Sequence, residues 1–178
     1  MKYLIRSFLF LTLAACSAKV TSNSPSSEEP FKDKDTRELR VTKEPLSGAV
    51  DNQPWKIGKA IAMLRDREYD VTITGEGVDL TCNNFFPFAP QISFFVPGTP
   101  AHYPYDGSAG GRLVNFNFPY HTGNGGGSTN ILASKSHIHI IELRGGFLIG
   151  NVAALSPEKE TSHIYDIAGA FEAEVCPK

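Results

Sequence analysis

Ser136-His-Ile-His-Ile-Ile-Glu-Leu143, Arg144-Gly-Gly146 and Phe147-Leu-Ile-Gly-Asn-Val-Ala-Ala-Leu155 decide the fold of this chain. Two runs rich in β-branched and large apolar residues flank a pair of glycines. Side chains alternate between the two faces of a strand, so Ile138 and Ile140 share one face while His137 and His139 share the other. Glycine pairs suit the short turn of a hairpin, which needs positive φ. The stretch predicts two antiparallel strands, with the isoleucines in a core and the histidines toward solvent.

The same pattern recurs outward in both directions. Tyr69-Asp-Val-Thr-Ile-Thr74 is a strand stopped by Gly75-Glu-Gly77, and Gln91-Ile-Ser-Phe-Phe-Val96 is one ended by Pro97-Gly98. Leu113-Val-Asn-Phe-Asn-Phe118 puts Val114, Phe116 and Phe118 on one face and Asn115 and Asn117 on the other, as in a sheet with one wet side. Ile167 to Val175 turns Ile167, Phe171, Ala173 and Val175 inward and Glu172 and Glu174 outward. Leu46 to Val50 is a strand, Asp51-Asn52 a turn, and Trp55 to Leu64 a returning strand. A helix competes over 57–65, and Gly58 favours the strand. Ile131-Leu-Ala reads as a short edge strand. Residues 82–90, 100–111, 123–129 and 157–161 read as loops.

Leu46-Ser-Gly-Ala-Val-Asp51 and Ile167-Ala-Gly-Ala-Phe-Glu172 echo each other, which suggests two strands in similar environments, neighbours in one sheet. About eight short strands and no convincing helix predict an all-β fold: an antiparallel β-sandwich, immunoglobulin-like, or a small barrel.

The N-terminal end has another logic. Lys2 and Arg6 precede an apolar run from Ser7 to Ala15 that is of secretory size and too short to span a bilayer as a mature helix. Leu13-Ala-Ala-Cys16 closes it. This motif resembles the lipobox of bacterial lipoproteins. The resemblance implies a signal peptide over 1–15, a diacylglyceryl group on the Cys16 sulfur and an acylated new amino terminus. Two or more acyl chains hold a protein firmly to a membrane, at roughly 0.8 kcal/mol per buried methylene. Ser17, rather than Asp, implies the outer membrane over the inner one in a Gram-negative cell. Residues 16–43 then read as the lipidated cysteine and a flexible linker, since this polar, low-complexity segment buries too little to repay its ordering. Such a coil spans about 30 Å. The β domain occupies 44–178.

With residues 1–15 removed from the 178, 163 remain, and the 17 basic residues fall to 15 against 19 acidic ones. That length supports one domain with a real core. The mildly acidic balance offers no basic patch for nucleic acid. Of the three cysteines, Cys82 and Cys176 remain as an even pair for an oxidising compartment, where a disulfide is the default. The alternative is a reactive thiol beside a histidine.

Gly48, Val50 and Trp55 near the start of the domain, and Gly169, Phe171, Ala173 and Cys176 near its end, are similar to a loose group of small bacterial envelope lipoproteins. The group implies a fold and a cellular address but no activity.

His137 and His139 are the sharpest chemical candidates. On one strand face they are close enough to share copper or zinc with a third ligand from His121, His163, Glu142 or Asp166. The plainer reading leaves them on a solvated face. His102-Tyr-Pro-Tyr105, with Tyr103, and Asn83-Asn-Phe-Phe86 suggest an aromatic, amide-bearing platform for a sugar or peptide, against ordinary loop packing. The glycine-rich run 123–129 lacks the Lys of a phosphate loop, since Gly127 occupies that place. No Gly-x-Ser-x-Gly elbow exists. Asp66 with Asp70, and Glu158 with Glu160, read as solvated turns.

The expectation is a membrane-anchored, non-enzymatic envelope protein with one β-sandwich domain, binding an envelope protein or glycan or acting structurally, without a cofactor. A copper- or zinc-binding protein is the alternative, and an envelope hydrolase ranks below both.

Overall fold

The structure, a computed structural model, describes residues 38–107, 111–122, 125–157 and 164–177, with backbone only at 120–122 and 125. The predicted signal peptide, Cys16 and most of the predicted linker lie outside the described residues. Ten strands follow one another: β1 Ser47–Val50, β2 Gln53–Arg65, β3 Glu68–Gly75, β4 Gln91–Val96, β5 Ala101–Tyr105, β6 Asn115–Thr122, β7 Gly125–Leu132, β8 Lys135–Arg144, β9 Phe147–Leu155 and β10 Asp166–Val175. Among the described residues there is no helix, so the chain is all-β, and residues 57–65 resolve as strand.

The strands form one sheet in the order β5-β8-β9-β10-β1-β2-β3-β4-β6-β7. Pairing is antiparallel throughout, apart from a short parallel contact of β10 with β2 at Glu174↔Ile61 and Val175↔Ala62. The cause is the shortness of β1. It fills the gap between β10 and β2 over four residues, and beyond its end the two longer strands meet directly.

A twisted sheet of this width curls rather than staying open. Ring contacts between strands remote in sheet order show that it does. Phe94 on β4 meets Phe171 on β10 edge to face, with ring centroids 5.6 Å apart. Tyr165, just before β10, stacks on Phe116 and Phe118 of β6 at 5.2 and 4.5 Å. The Ser136 hydroxyl on β8 donates to the Arg112 carbonyl just before β6, at 2.8 Å. The sheet therefore folds over on itself as a barrel-like sandwich, with β5 and β7 as its two edges, around a main core in which Val71, Ile73, Phe116, Ile138, Ile140 and Leu148 are fully buried. Ile138 and Ile140 point inward, as their alternation predicts.

A second, smaller cluster holds Ile61, Leu80, Phe85 and Cys176. Within it Cys82 and Cys176 form a disulfide, with their Cα atoms 5.5 Å apart.

The echo between Leu46–Asp51 and Ile167–Glu172 has a physical meaning. The two segments pair antiparallel, Gly48 opposite Ile167 and Ser47 opposite Ala168. Both glycines have φ near +150°, and a Cβ on Gly48 would lie 2.0 Å from the Asp166 carbonyl oxygen. Close backbone approach, rather than repetition, places Gly at both positions.

Three expectations need correction. Residues 101–105 are strand β5 rather than loop, because β8 offers an unpaired edge that captures a run with Pro104 in it; edge strands tolerate proline. Residues 125–129 belong to strand β7, paired with β6 from Gly125↔Thr122 to Leu132↔Asn115. Glycine weakens a strand locally, but an eight-residue ladder overrides that preference. Asp70 is no solvated turn residue: it is only 5 % exposed, and its carboxylate accepts a hydrogen bond from Arg65 Nε at 2.9 Å. Burial outweighs that bond and pushes the Asp70 carboxyl up from its ordinary value. Residues 158–161 lie outside the described residues.

Candidate functional site

The outer face of β8 carries His137 and His139. Strand β5 runs antiparallel beside it and sets His102 directly opposite His139, with Pro104 opposite His137. Cross-strand neighbours sit close enough for ring contact. The His102 and His139 rings stack with centroids 3.8 Å apart and planes 11° from parallel. His137 meets His102 edge-on at 88°, and His102 Nδ1 lies 2.9 Å from His137 Nε2. One of these nitrogens carries the proton and the other accepts it, so the bond requires at least one neutral imidazole.

Burial, then the charge His102 would carry, then that of His139, hold His137 below the ordinary imidazole value of 6.5. Burial and His102 do the same for His139. Both are therefore neutral near pH 7. The unfolded chain takes up protons at these sites as pH falls through about 6.5, before the folded chain does. Their contribution to stability is thus present above that pH and is lost as pH drops toward the folded values. The melting temperature is expected to fall between pH 7.5 and 5, and His102→Ala to flatten that fall. Identical pH profiles for the two proteins in scanning calorimetry would refute this account.

The structure separates the predicted aromatic platform. Alternation on β5 puts Tyr103 and Tyr105 on the face opposite His102. Tyr103 packs against the core, and its hydroxyl donates to the Thr99 carbonyl at 3.0 Å. Phe85 is buried beside the disulfide, and the Asn84 side chain donates to the Asp79 carbonyl at 3.0 Å. Of that set, only His102 joins the histidine cluster.

Neither described candidate for a third metal ligand, Glu142 or Asp166, joins the histidines in a metal-holding group. The His121 side chain and all of His163 lie outside the described residues. Glu142 pairs with Arg144 at 3.4 Å, and Asp166 begins β10 opposite Leu155 and Ala49. Among the described residues, no group of three or more His, Cys, Asp or Glu is placed to hold a metal ion.

A cleft of about 600 Å³ opens beside the histidines. Its floor is a cross-strand row: His139 on β8, Asn151 opposite it on β9, and Ala170 opposite Asn151 on β10. A bulge between Ile140 and Glu142 pushes Ile141 outward to form one wall. Val41 to Lys43, where the chain reaches the sheet, form the other. That segment is moored at its base, because the Ala170 amide donates to the Glu44 carbonyl at 2.7 Å and the Leu46 amide to the Ala170 carbonyl at 3.0 Å.

Asn151 and Lys43 escaped the sequence reading. Asn151 is the one polar side chain in the run 147–155. That lone amide was the available signal, but only the bulge brings it opposite His139. Compared with known protein families, curated proteins and solved structures, the chain matches none.

Proposed function

We propose that this chain is a lipid-anchored cell-envelope protein whose single β domain serves as a binding or structural module rather than a catalyst. The observation that carries the reading is the Cys82–Cys176 bridge. Disulfides persist in oxidising compartments, and this one agrees with export directed by residues 1–15. Cys16 is left over from the pair, at the position where the lipobox-like Leu13-Ala-Ala-Cys16 would carry lipid. An outer-membrane address rests on Ser17. A folded-over, disulfide-tied sheet with a cleft on its outer face suits the holding of a ligand or partner near the membrane surface.

The test is acylation. In cells given labelled palmitate, the wild-type chain is expected to take up label and to sediment with membranes. Cys16→Ser is expected to lose the label and enter the soluble fraction. A wild-type chain that takes up no label, or a variant that stays equally membrane-bound, would remove the anchor from this reading.

A further inference from the structure

The cleft between the tether end and the histidine strand contains a polar group that the fold leaves without a partner. Asn151 is only 8 % exposed, lines the cleft, and makes no hydrogen bond through its side chain among the described residues. Its amide keeps contact with solvent, so a ligand that excludes water from the cleft must replace those bonds. Elsewhere in the sheet, Asn115 Nδ2 donates to Asn130 Oδ1 at 3.1 Å within a short ladder of asparagines, although its own Oδ1 is buried without a partner among the described residues. Asn151 has no such neighbour, because Ala170 on one side and His139 on the other offer it no bond. Its remaining contact with solvent is through the cleft.

Charge at the rim is one-sided. Lys43 lines the same cleft, is exposed, and has no salt bridge among the described residues. No carboxylate lines the cleft among the described residues. The walls are aliphatic. Val41 is 55 % exposed and Ile141 43 %, both large apolar side chains left open to water at the rim. Their contact with an apolar body would remove that surface from water. The volume falls within the range of small-molecule sites, which combine apolar walls with a few placed polar groups.

From these features we infer that the cleft binds an aliphatic carboxylate: the anion bonded by the Asn151 amide and paired with Lys43, the hydrocarbon body held between Val41 and Ile141. One cation and one neutral amide match a single negative charge better than a phosphate dianion. A wholly apolar ligand would leave Asn151 unpaired. A bound molecule would also touch both the sheet and residues 41–43, so occupancy would fasten the end of the tether to the domain. The inference gives the binding module of the preceding section a ligand class, and it does not depend on the anchor.

The probe is hexanoate, with hexanol as its uncharged counterpart, titrated into the full chain and followed by NMR at the Asn151 side-chain amide. Hexanoate is expected to give a saturable shift. Lys43→Met, a surface change that leaves the fold untouched, is expected to weaken hexanoate about tenfold and to leave hexanol unchanged, as for loss of a charge-assisted bond. Asn151→Ala, read instead at the backbone amides of the cleft residues Ile141 and Ala170, is expected to weaken hexanoate as well. A flat titration, equal affinities for the acid and the alcohol, or an unaffected Lys43→Met chain would each overturn the proposal. The Cys16→Ser chain is expected to bind hexanoate like the wild type, so the anchor and the cleft can fail separately.

Discussion

Gly169→Ala is expected to destabilise the domain by about 4 kcal/mol, from a disfavoured backbone conformation and a clash that cannot relax. Gly169 has φ +151°, and a Cβ there would lie 2.4 Å from Leu46 Cα, 2.6 Å from Leu46 N and 2.7 Å from the Glu44 oxygen. All three are backbone atoms, so no flexible side-chain tip can swing aside. The neighbouring hydrogen bonds Ala170 N to Glu44 O and Leu46 N to Ala170 O fix the two chains at that separation. Gly77→Ala provides the comparison. Gly77 also has positive φ, at +79°, but its Cβ would meet nothing within 4 Å. It is expected to cost only about 1 kcal/mol, from conformation alone. Urea unfolding of both variants measures the difference. Equal losses would mean that the close approach of residues 44–46 to β10 contributes nothing.

Loss of the Cys82–Cys176 bridge is expected to cost about 4 kcal/mol. The two cysteines are 94 residues apart in sequence, and closing so long a loop removes much freedom from the unfolded chain. The bridge also fills space in the cluster of Ile61, Leu80 and Phe85, so the double variant Cys82→Ala/Cys176→Ala leaves a small void as well. Guanidinium unfolding of oxidised, reduced and double-variant protein separates the two effects. The oxidised chain should weigh two hydrogens less than the reduced one. Oxidised and reduced forms that unfold at the same denaturant concentration would show that the link adds no stability.

Much of the fold was legible because binary patterning is local. Val114, Phe116 and Phe118, or Ile138 and Ile140, declare their faces by alternation alone. What failed was pairing, which is not local. Residues 101–105 and 125–129 carry proline and glycine, and became strands because β8 and β6 lay beside them. Asp70 sits among charged residues in sequence, yet the sheet buries it.

The candidate site failed for a subtler reason. A strict register from the Arg144↔Phe147 turn would set His139 opposite Val152 and turn both histidines inward. The extra residue at Ile141 restores the register, so that Ile140 lies opposite Gly150 and His139 opposite Asn151. Burial of the isoleucines demands that bulge, but no residue type announces it. His102 was noticed for its aromatic neighbours, whereas its actual partners are the histidines across the strand.

The bridge also bears on how the molecule would respond to tension. A pull between the two chain ends would reach β1, β2 and β3 first from the N-terminal side, since all three precede Cys82. Beyond that cysteine the load would pass through the sulfurs to Cys176, close to the C-terminal end. The strands from β4 to β10 lie within the covalent ring and would feel no direct stretching. Fully drawn out, a 94-residue segment would add about 330 Å of length. While the sulfurs stay joined, that slack is withheld, and the protein behaves as a short leash. Reduction would turn it into a long one.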